Sequence, residues 1–361
     1  MTQTISPGAT IGILGGGQLG RMIAMAAAKL GLKAHIFSPD IDSPAFEVAA
    51  AHTIADYDDE TALRAFAEAV DVVTYEFENV PARTASILAA IKPVRPDAAA
   101  LAASQDRLVE KEFMASLGIL TAPFINVESA GGLARAVAQL GRPSILKTRR
   151  LGYDGKGQTP IREGSDIAVT YRSLGSVPSI LEGMVPFTKE ISIIAARGLD
   201  GSFAAYDVCE NHHEHHILDR TIVPAGITPH TAARGVAIAK TIADALDYVG
   251  VLAVELFLTI EDGEEVIRVN EIAPRVHNSG HWTLGGATTS QFEQHVRAIC
   301  GWPLGATTRH GTRVEMRNLI GADVLAWHEI LASGDTSLCL YGKAEERPGR
   351  KMGHTTKVFR D

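Results

Sequence analysis

Along the first hundred residues, short apolar runs alternate with stretches in which apolar side chains recur every three or four positions. The runs at 10–14, 33–37 and 72–75 are continuous and brief, which predicts strands buried on both faces. The segments at 18–30 and 60–69 carry helical spacing. Their alternation predicts a parallel, doubly wound α/β sheet, punctuated at its end by Pro93 and Pro96. After about Ser104 the pattern changes. A helical segment at 105–117 is stopped by Gly118, and strands are expected at 144–148 and 179–182, flanking a glycine-rich stretch. Runs at 190–196, 202–208 and 217–223 read as antiparallel strands and 231–248 as a long helix. The segments 251–257 and 265–270 read as neighbouring strands separated by the acidic turn Glu261-Asp262-Gly263-Glu264. The expected fold class is therefore α/β and α+β in three parts, at 1–103, 104–186 and 187–361.

Composition narrows what such a chain does. With 361 residues, 46% of them hydrophobic, it can build more than one core. A formal net charge of -8 gives no global attraction to nucleic acid or to an anionic membrane. Any phosphate must then be held by local cations and oriented N–H groups. Cys209, Cys300 and Cys339 are too scattered for a disulfide framework or a Cys-ligated zinc, and they fit a reducing cytoplasm. No window of about 20 residues lacks charge, so no spanning helix is expected, and the polar start leads into a strand without a signal peptide.

Chemistry concentrates in four places. Gly15-Gly16-Gly17-Gln18-Leu19-Gly20 lies between a predicted strand and helix and matches G-x-G-x-x-G, with Asp40 at the distance a dinucleotide site wants. Its physics is less specific: glycines admit an anion to the free N–H groups of a helix start, and a single phosphate satisfies them as well as a pyrophosphate. A strand ending in Lys147 leads into the basic loop Gly152-Tyr153-Asp154-Gly155-Lys156-Gly157-Gln158, suited to closing over polyphosphate although it is not a P-loop. Glu255 and Asn270-Glu271 place carboxylates inside apolar strands, where an unpaired charge is costly. Together they form a hard oxygen-donor set suited to Mg²⁺, the alternative being neutralisation by a cation such as Arg268. Arg275 and His277 alternate onto one face just beyond. The cluster 212–216 has the wrong spacing for a transition metal and leaves either a surface role or one nucleotide-contacting His.

In this order, Lys147, the glycine lid, Glu182-Gly183-Met184-Val185 with Glu190, and Glu255 with Asn270-Glu271 resemble the ATP-grasp enzymes. Within them, Gly15 to Met22, Tyr75 to Asn79, the 152–158 lid, the string Asn270 to Trp282 and Arg347 to His354 resemble the 5-(carboxyamino)imidazole ribonucleotide synthetases, over essentially the whole chain. The resemblance implies an ATP-grasp fold behind an N-terminal Rossmann-like domain, with ATP and Mg²⁺ as cofactors. It implies carboxylation of 5-aminoimidazole ribonucleotide by bicarbonate through carboxyphosphate, in a cytoplasmic homodimer. Arg107, Lys147, Gly152 to Gln158, Glu182, Gly183, Met184, Val185, Glu190, His213, Asn270 and Glu271 would contact ATP, and Glu255 and Glu271 would hold Mg²⁺. Gln18 and Leu19 would meet the ribonucleotide phosphate, with Lys343 and Arg350 adding charge. Glu76, Tyr153, Asp154, Arg275 and His277 would surround the reacting groups, with Asp154 accepting the amine proton. Family chains carry more residues after Gly353-His354 than the 355–361 present here, and 211–216 is richer in histidine than the family pattern.

Three other readings compete. Formate-dependent glycinamide ribonucleotide transformylase and biotin carboxylase would share the ATP site and differ in acceptor. An NAD-dependent dehydrogenase would use the first glycine loop and need no Mg²⁺. A non-catalytic binding protein would have little reason to hold two acidic strands.

Overall fold

A computed structural model describes residues 4–152 and 155–360. In its first part, strands β1 (Thr10–Leu14), β2 (Lys33–Ser38), β3 (Ala51–Ile54) and β4 (Val72–Tyr75) form a parallel sheet of order β3-β2-β1-β4. Helices α1 (Gln18–Lys29), α2 (Glu60–Glu68), α3 (Ala82–Ala89) and α4 (Ala98–Ser104) connect and cover it. The four residues of β4 are buried, as a strand covered on both faces requires. Asp59 starts α2 by accepting from the Ala62 N–H at 3.0 Å. No side chain of its own segment caps α1.

Helix α5 (Arg107–Ser116) leads to a small antiparallel sheet of order β5-β8-β6-β7, built from β5 (Phe124–Val127), β6 (Ser144–Thr148), β7 (Gln158–Ile161) and β8 (Ser179–Gly183). With α6 (Ala130–Leu140) and α7 (Ile167–Ser173) it closes its own core around Leu133, Leu146, Tyr171 and Leu181.

The third sheet has nine strands. It comprises β9 (Lys189–Arg197), β10 (Phe203–Ala205), β11 (Cys209–Glu214), β12 (Ile217–Val223), β13 (Gly250–Glu261), β14 (Glu264–Ala273), β15 (Arg313–Ile320), β16 (Thr336–Leu340) and β17 (Lys351–Phe359). Helix α8 (Pro229–Ala245) packs against β9, β13 and β14, and α9 (Thr283–Gly286), α10 (Gln291–Ile299) and α11 (Trp327–Ala332) follow. The strand expected at 202–208 is shorter than its pattern. It ends at Ala205 because Tyr206 turns inward and donates its hydroxyl to the Thr289 carbonyl at 3.0 Å. The histidine segment is a separate strand, β11.

One hydrophobic core runs from Ile11, Ile13 and Ile23 of the first sheet to Val251, Trp282, Phe292 and Val314 of the third. Polar ties reinforce it. Arg95 donates to the Ile299 carbonyl at 2.5 Å, and Thr74 meets His295 at 2.8 Å. This junction sets the first glycine loop facing the acidic strands across one cleft.

Candidate active site

The cleft encloses a cavity of about 610 Å³, of the size that holds a nucleotide-like ligand. On its floor, β13 and β14 pair so that Glu255 lies directly opposite Glu271. Like charges in that register repel unless cations intervene. His277 Nε2 lies 2.9 Å from Glu255, and Arg107 lies 2.8 Å from Glu271. Arg268, the neutraliser considered from the sequence, turns away to Glu261. The alternative of neutralised carboxylates is thus realised in part, by an imidazole and a guanidinium that strand alternation did not offer. Burial opposes the Glu255 charge, but His277, with His213 and Lys351 beyond, holds its carboxyl well below the ordinary range. Asn270 Oδ1 is buried without a hydrogen-bond partner among the described residues. No three His, Cys, Asp or Glu side chains converge among those residues. Two carboxylates and an orphan amide oxygen nevertheless fit Mg²⁺, which takes one or two carboxylates and completes its shell with phosphates and water.

β14 is the edge strand of its sheet, and one face of α5 holds it. Positions i, i+3 and i+4 of a helix share a face. Arg107 reaches Glu271, Glu110 accepts from the Ile272 N–H at 2.6 Å, and Lys111 donates to the Asn270 carbonyl at 2.8 Å. Lys111 is 1% exposed and also lies 3.7 Å from Glu182. Burial and the neighbouring Glu271 charge push the Glu110 carboxyl up.

The roof comes from the small sheet. Lys147 pairs with Gln158 across β6 and β7, and the Thr148 N–H closes the intervening loop onto the Gly157 carbonyl at 2.8 Å. Gly157 has φ +70°, and a Cβ there would sit 2.6 Å from the Thr148 hydroxyl, so the loop needs glycine. Gly152, Gly155, Lys156 and Gln158 line the cavity; Tyr153 and Asp154 lie outside the described residues. Glu182 is buried against Lys147 at 2.9 Å. Despite the cost of burial, Lys147 and Lys111 bring its carboxyl down to about 2. Its Oε1 lacks a hydrogen-bond partner among the described residues. Glu182, Gly183, Met184 and Val185 do not line the cavity as expected, and the Gly183 and Met184 N–H groups donate to Pro123 and Pro143 carbonyls.

Glu190 and His213 form a direct pair on the cavity wall, beside Phe187 stacked on Phe257 at 4.9 Å. Burial opposes protonation of His213, but the Glu190 hydrogen bond and charge prevail and raise its pKa. A bulge between His212 and His213 swings His213 inward. His215 and His216 take left-handed φ values of 51° and 66° at the hairpin turn.

At the far end, Gln18 and Leu19 begin α1. The missing cap is Glu76, whose carboxylate accepts from the Gly17 N–H at 2.5 Å and the Gly20 N–H at 2.7 Å. Burial raises the Glu76 pKa, partly offset by these N–H groups. The loop read as a possible dinucleotide cradle thus already has an anion of the chain's own at its N–H groups, that of Leu19 included, and Gln18 is what remains of the expected phosphate contacts there. Arg275 pairs directly with Glu78, which the sequence had not singled out. Burial works against the guanidinium charge, but Glu78, Glu76 and Glu271 keep it firmly protonated. Lys343 and Arg350 do not line the cavity as expected. They donate to the Lys351 and Glu345 carbonyls at 2.7 and 2.9 Å, and Lys351 lines the cavity instead.

An acidic strand pair facing a lysine-anchored glycine loop, on these three sheets, defines an ATP-grasp ligase. An ATP-grasp domain model matches residues 112–292, a ribonucleotide synthetase preATP-grasp domain model 8–105, and a phosphoribosylaminoimidazole carboxylase C-terminal domain model 315–361. The chain is 48% identical over 357 residues to N5-carboxyaminoimidazole ribonucleotide synthase of Brucella melitensis, covering 98% of each. It superimposes on the Staphylococcus aureus N5-carboxyaminoimidazole synthetase complexed with ADP with TM-score 0.93, at 37% identity, covering 99% of this chain and 95% of that one. For the Aspergillus clavatus enzyme in complex with ADP and 5-aminoimidazole ribonucleotide the TM-score is 0.88 at 29% identity, covering 97% and 94%. The chain belongs to the N5-carboxyaminoimidazole ribonucleotide synthetase family, ATP-dependent ligases of purine biosynthesis.

Proposed function

We propose that this site phosphorylates bicarbonate with ATP and transfers the carboxyl group to the amine of 5-aminoimidazole ribonucleotide. The products are N5-carboxyaminoimidazole ribonucleotide, ADP and phosphate. The observation that carries the reading is the Glu255–Glu271 register, set in one cavity with Lys147 above it and the α1 N-terminus at its end.

Phe187, Phe257, Glu190 and His213 would enclose the nucleoside. Lys147, Arg107 and the 152–158 loop would hold its phosphates, and Glu182 Oε1, buried without a hydrogen-bond partner among the described residues, would accept a base N–H if the small sheet shifts to admit it. Mg²⁺, held by Glu255, Glu271 and Asn270, would neutralise charge on the phosphates during transfer. A bicarbonate oxygen attacks the γ-phosphorus and ADP leaves. Arg275, beside Glu76 and Glu78, would hold the anionic carboxyphosphate. Gln18 and Leu19, at the start of α1, would meet the ribonucleotide phosphate. The amine nitrogen then bonds to the carboxyl carbon as phosphate departs. Asp154, which lies outside the described residues, is the proposed acceptor of the amine proton, and closure of its loop would keep carboxyphosphate from water. A homodimer is the assembly the family resemblance implies. Three free cysteines, two of them buried, suit a cytoplasmic setting.

The test is ADP release with ATP, Mg²⁺ and bicarbonate, with and without 5-aminoimidazole ribonucleotide. Stimulation by the ribonucleotide is expected. Stimulation instead by formate with glycinamide ribonucleotide would establish the transformylase reading.

A further inference from the structure

We propose that His277 is a positioning residue and not a proton acceptor: a buried hydrogen-bond relay fixes its proton on Nε2, aimed at Glu255. The inference rests on reading Glu255 as a ligand of the catalytic cation. The relay begins at the ring itself. The Ser279 backbone N–H lies 3.3 Å from His277 Nδ1, and the Ser279 hydroxyl lies 2.8 Å from the same nitrogen. A backbone N–H cannot reverse its polarity, but at 3.3 Å it only biases Nδ1 toward accepting, and the shorter bond to the Ser279 hydroxyl decides the tautomer. The Ser279 hydroxyl follows it and donates to Nδ1.

With that hydrogen committed, Ser279 Oγ must accept from its other neighbour, Ser192 Oγ, at 2.7 Å. Ser192 in turn accepts from Asn211 Nδ2 at 2.9 Å, and Asn211 Oδ1 accepts from the Thr221 hydroxyl at 3.0 Å. Every hydrogen along the relay then points toward the imidazole. The relay crosses β9, β11 and β12, and Ser192, Thr221 and Ser279 are wholly buried, so water does not compete for these bonds. Gln291 clamps the backbone at the same point, accepting from the His277 N–H at 3.0 Å and donating to its carbonyl at 2.7 Å.

The consequence falls on Nε2. Nδ1 has no lone pair left, so the ring proton resides on Nε2, 2.9 Å from Glu255 Oε1. The ring has no site with which to take a proton from the amine. It donates to Oε1 and fixes the carboxylate, which would leave Oε2 available to a cation.

The full chain, labelled with ¹⁵N at histidine and free of nucleotide, gives the tautomer directly from two-bond ¹H–¹⁵N spectra, with His277→Gln used to assign the signal. The expected result is the Nε2–H pattern. In Asn211→Asp the carboxylate accepts from both neighbours, Ser192 turns round, and Ser279 donates to Ser192 instead. The spectrum should then shift toward the Nδ1–H form, with kcat falling about 10–100-fold and little change in KM for the ribonucleotide. Ser279→Ala removes only the hydroxyl and serves if the aspartate variant fails to melt cooperatively. An Nδ1–H pattern in the parent chain would overturn the proposal, as would a variant whose tautomer and kcat are both unchanged. The spectrum needs no turnover, so an inactive parent chain would count against the functional reading while the Nε2–H or Nδ1–H pattern still decides the tautomer.

Discussion

At the residue scale, the two acidic strand positions do different work with different neighbours. Glu255 is oriented by His277 and Glu271 by Arg107, yet both face the same cavity. Glu271→Gln should lower ADP release by at least about 10²-fold, the order lost when a preorganised charge partner of a transition state is removed. The assay is turnover across a Mg²⁺ titration, and near-normal turnover at any Mg²⁺ level would refute the assignment. These carboxylates were legible because each interrupts an apolar run, where a charge needs a reason. Glu78, Glu110 and Lys111 were not. Glu78 sits in a polar loop, and an adjacent Glu-Lys pair on a short helix reads as a solvated face until the tertiary structure buries it. The string from Asn270 to Trp282 was legible as a unit but divided in role. Arg275 and His277 line the cavity, whereas Ser279, His281 and Trp282 are buried scaffold.

At the scale of elements, α5 is the clamp for the edge strand β14, and its contribution differs from that of a surface ion pair. Lys111→Met leaves the Asn270 carbonyl without its donor and takes from buried Glu182 one of two cations. Leaving a buried acceptor without its bond costs about 1–3 kcal/mol, and the weakened Glu182 pairing, still held by Lys147, adds to it. Lys29 pairs with Glu293 at 2.8 Å, but the Lys29 side chain is 71% exposed. Lys29→Met should therefore cost no more than about 1 kcal/mol. Denaturant midpoints of the two variants, measured side by side, decide it; equal small shifts would mean that α5 does not anchor the strand. The element boundaries themselves were largely legible from periodicity. The exceptions lie where a tertiary contact ended or redirected a run, as Tyr206 ends β10 and the bulge before His213 turns one histidine of a polar cluster into the cavity.

At the scale of the whole molecule, the first and third sheets share a core, and three enclosed histidines lie along it. His295 bridges Thr74 and the Val251 N–H, His354 meets the Tyr341 hydroxyl, and His281 meets Gln291. Burial depresses all three, His295 and His354 to about 3 and His281 well below its usual value. The sign follows from proton counting. Above about pH 6.5 each is neutral folded and unfolded; below it the unfolded chain binds protons that the folded chain refuses. Stability is present above the unfolded pKa and is lost as pH falls toward the folded one. Glu76 and Glu110, whose pKa values are raised by burial, act in the opposite sense above about pH 4.5, because there the folded chain holds the extra proton. His213, raised by Glu190, contributes fully below about pH 6.5 and so leaves the slope there unchanged. The net slope mixes these terms, but one histidine can be isolated from it. His295→Gln removes one titrating group, so the parent chain should lose about 1.2 kcal/mol more than the variant between pH 6 and pH 5. The slope is the readout, independent of whatever the substitution costs at neutral pH. Unfolding free energies from denaturant titrations at the two pH values supply it, and parallel slopes would show that His295 titrates as freely in the folded chain as in the unfolded one.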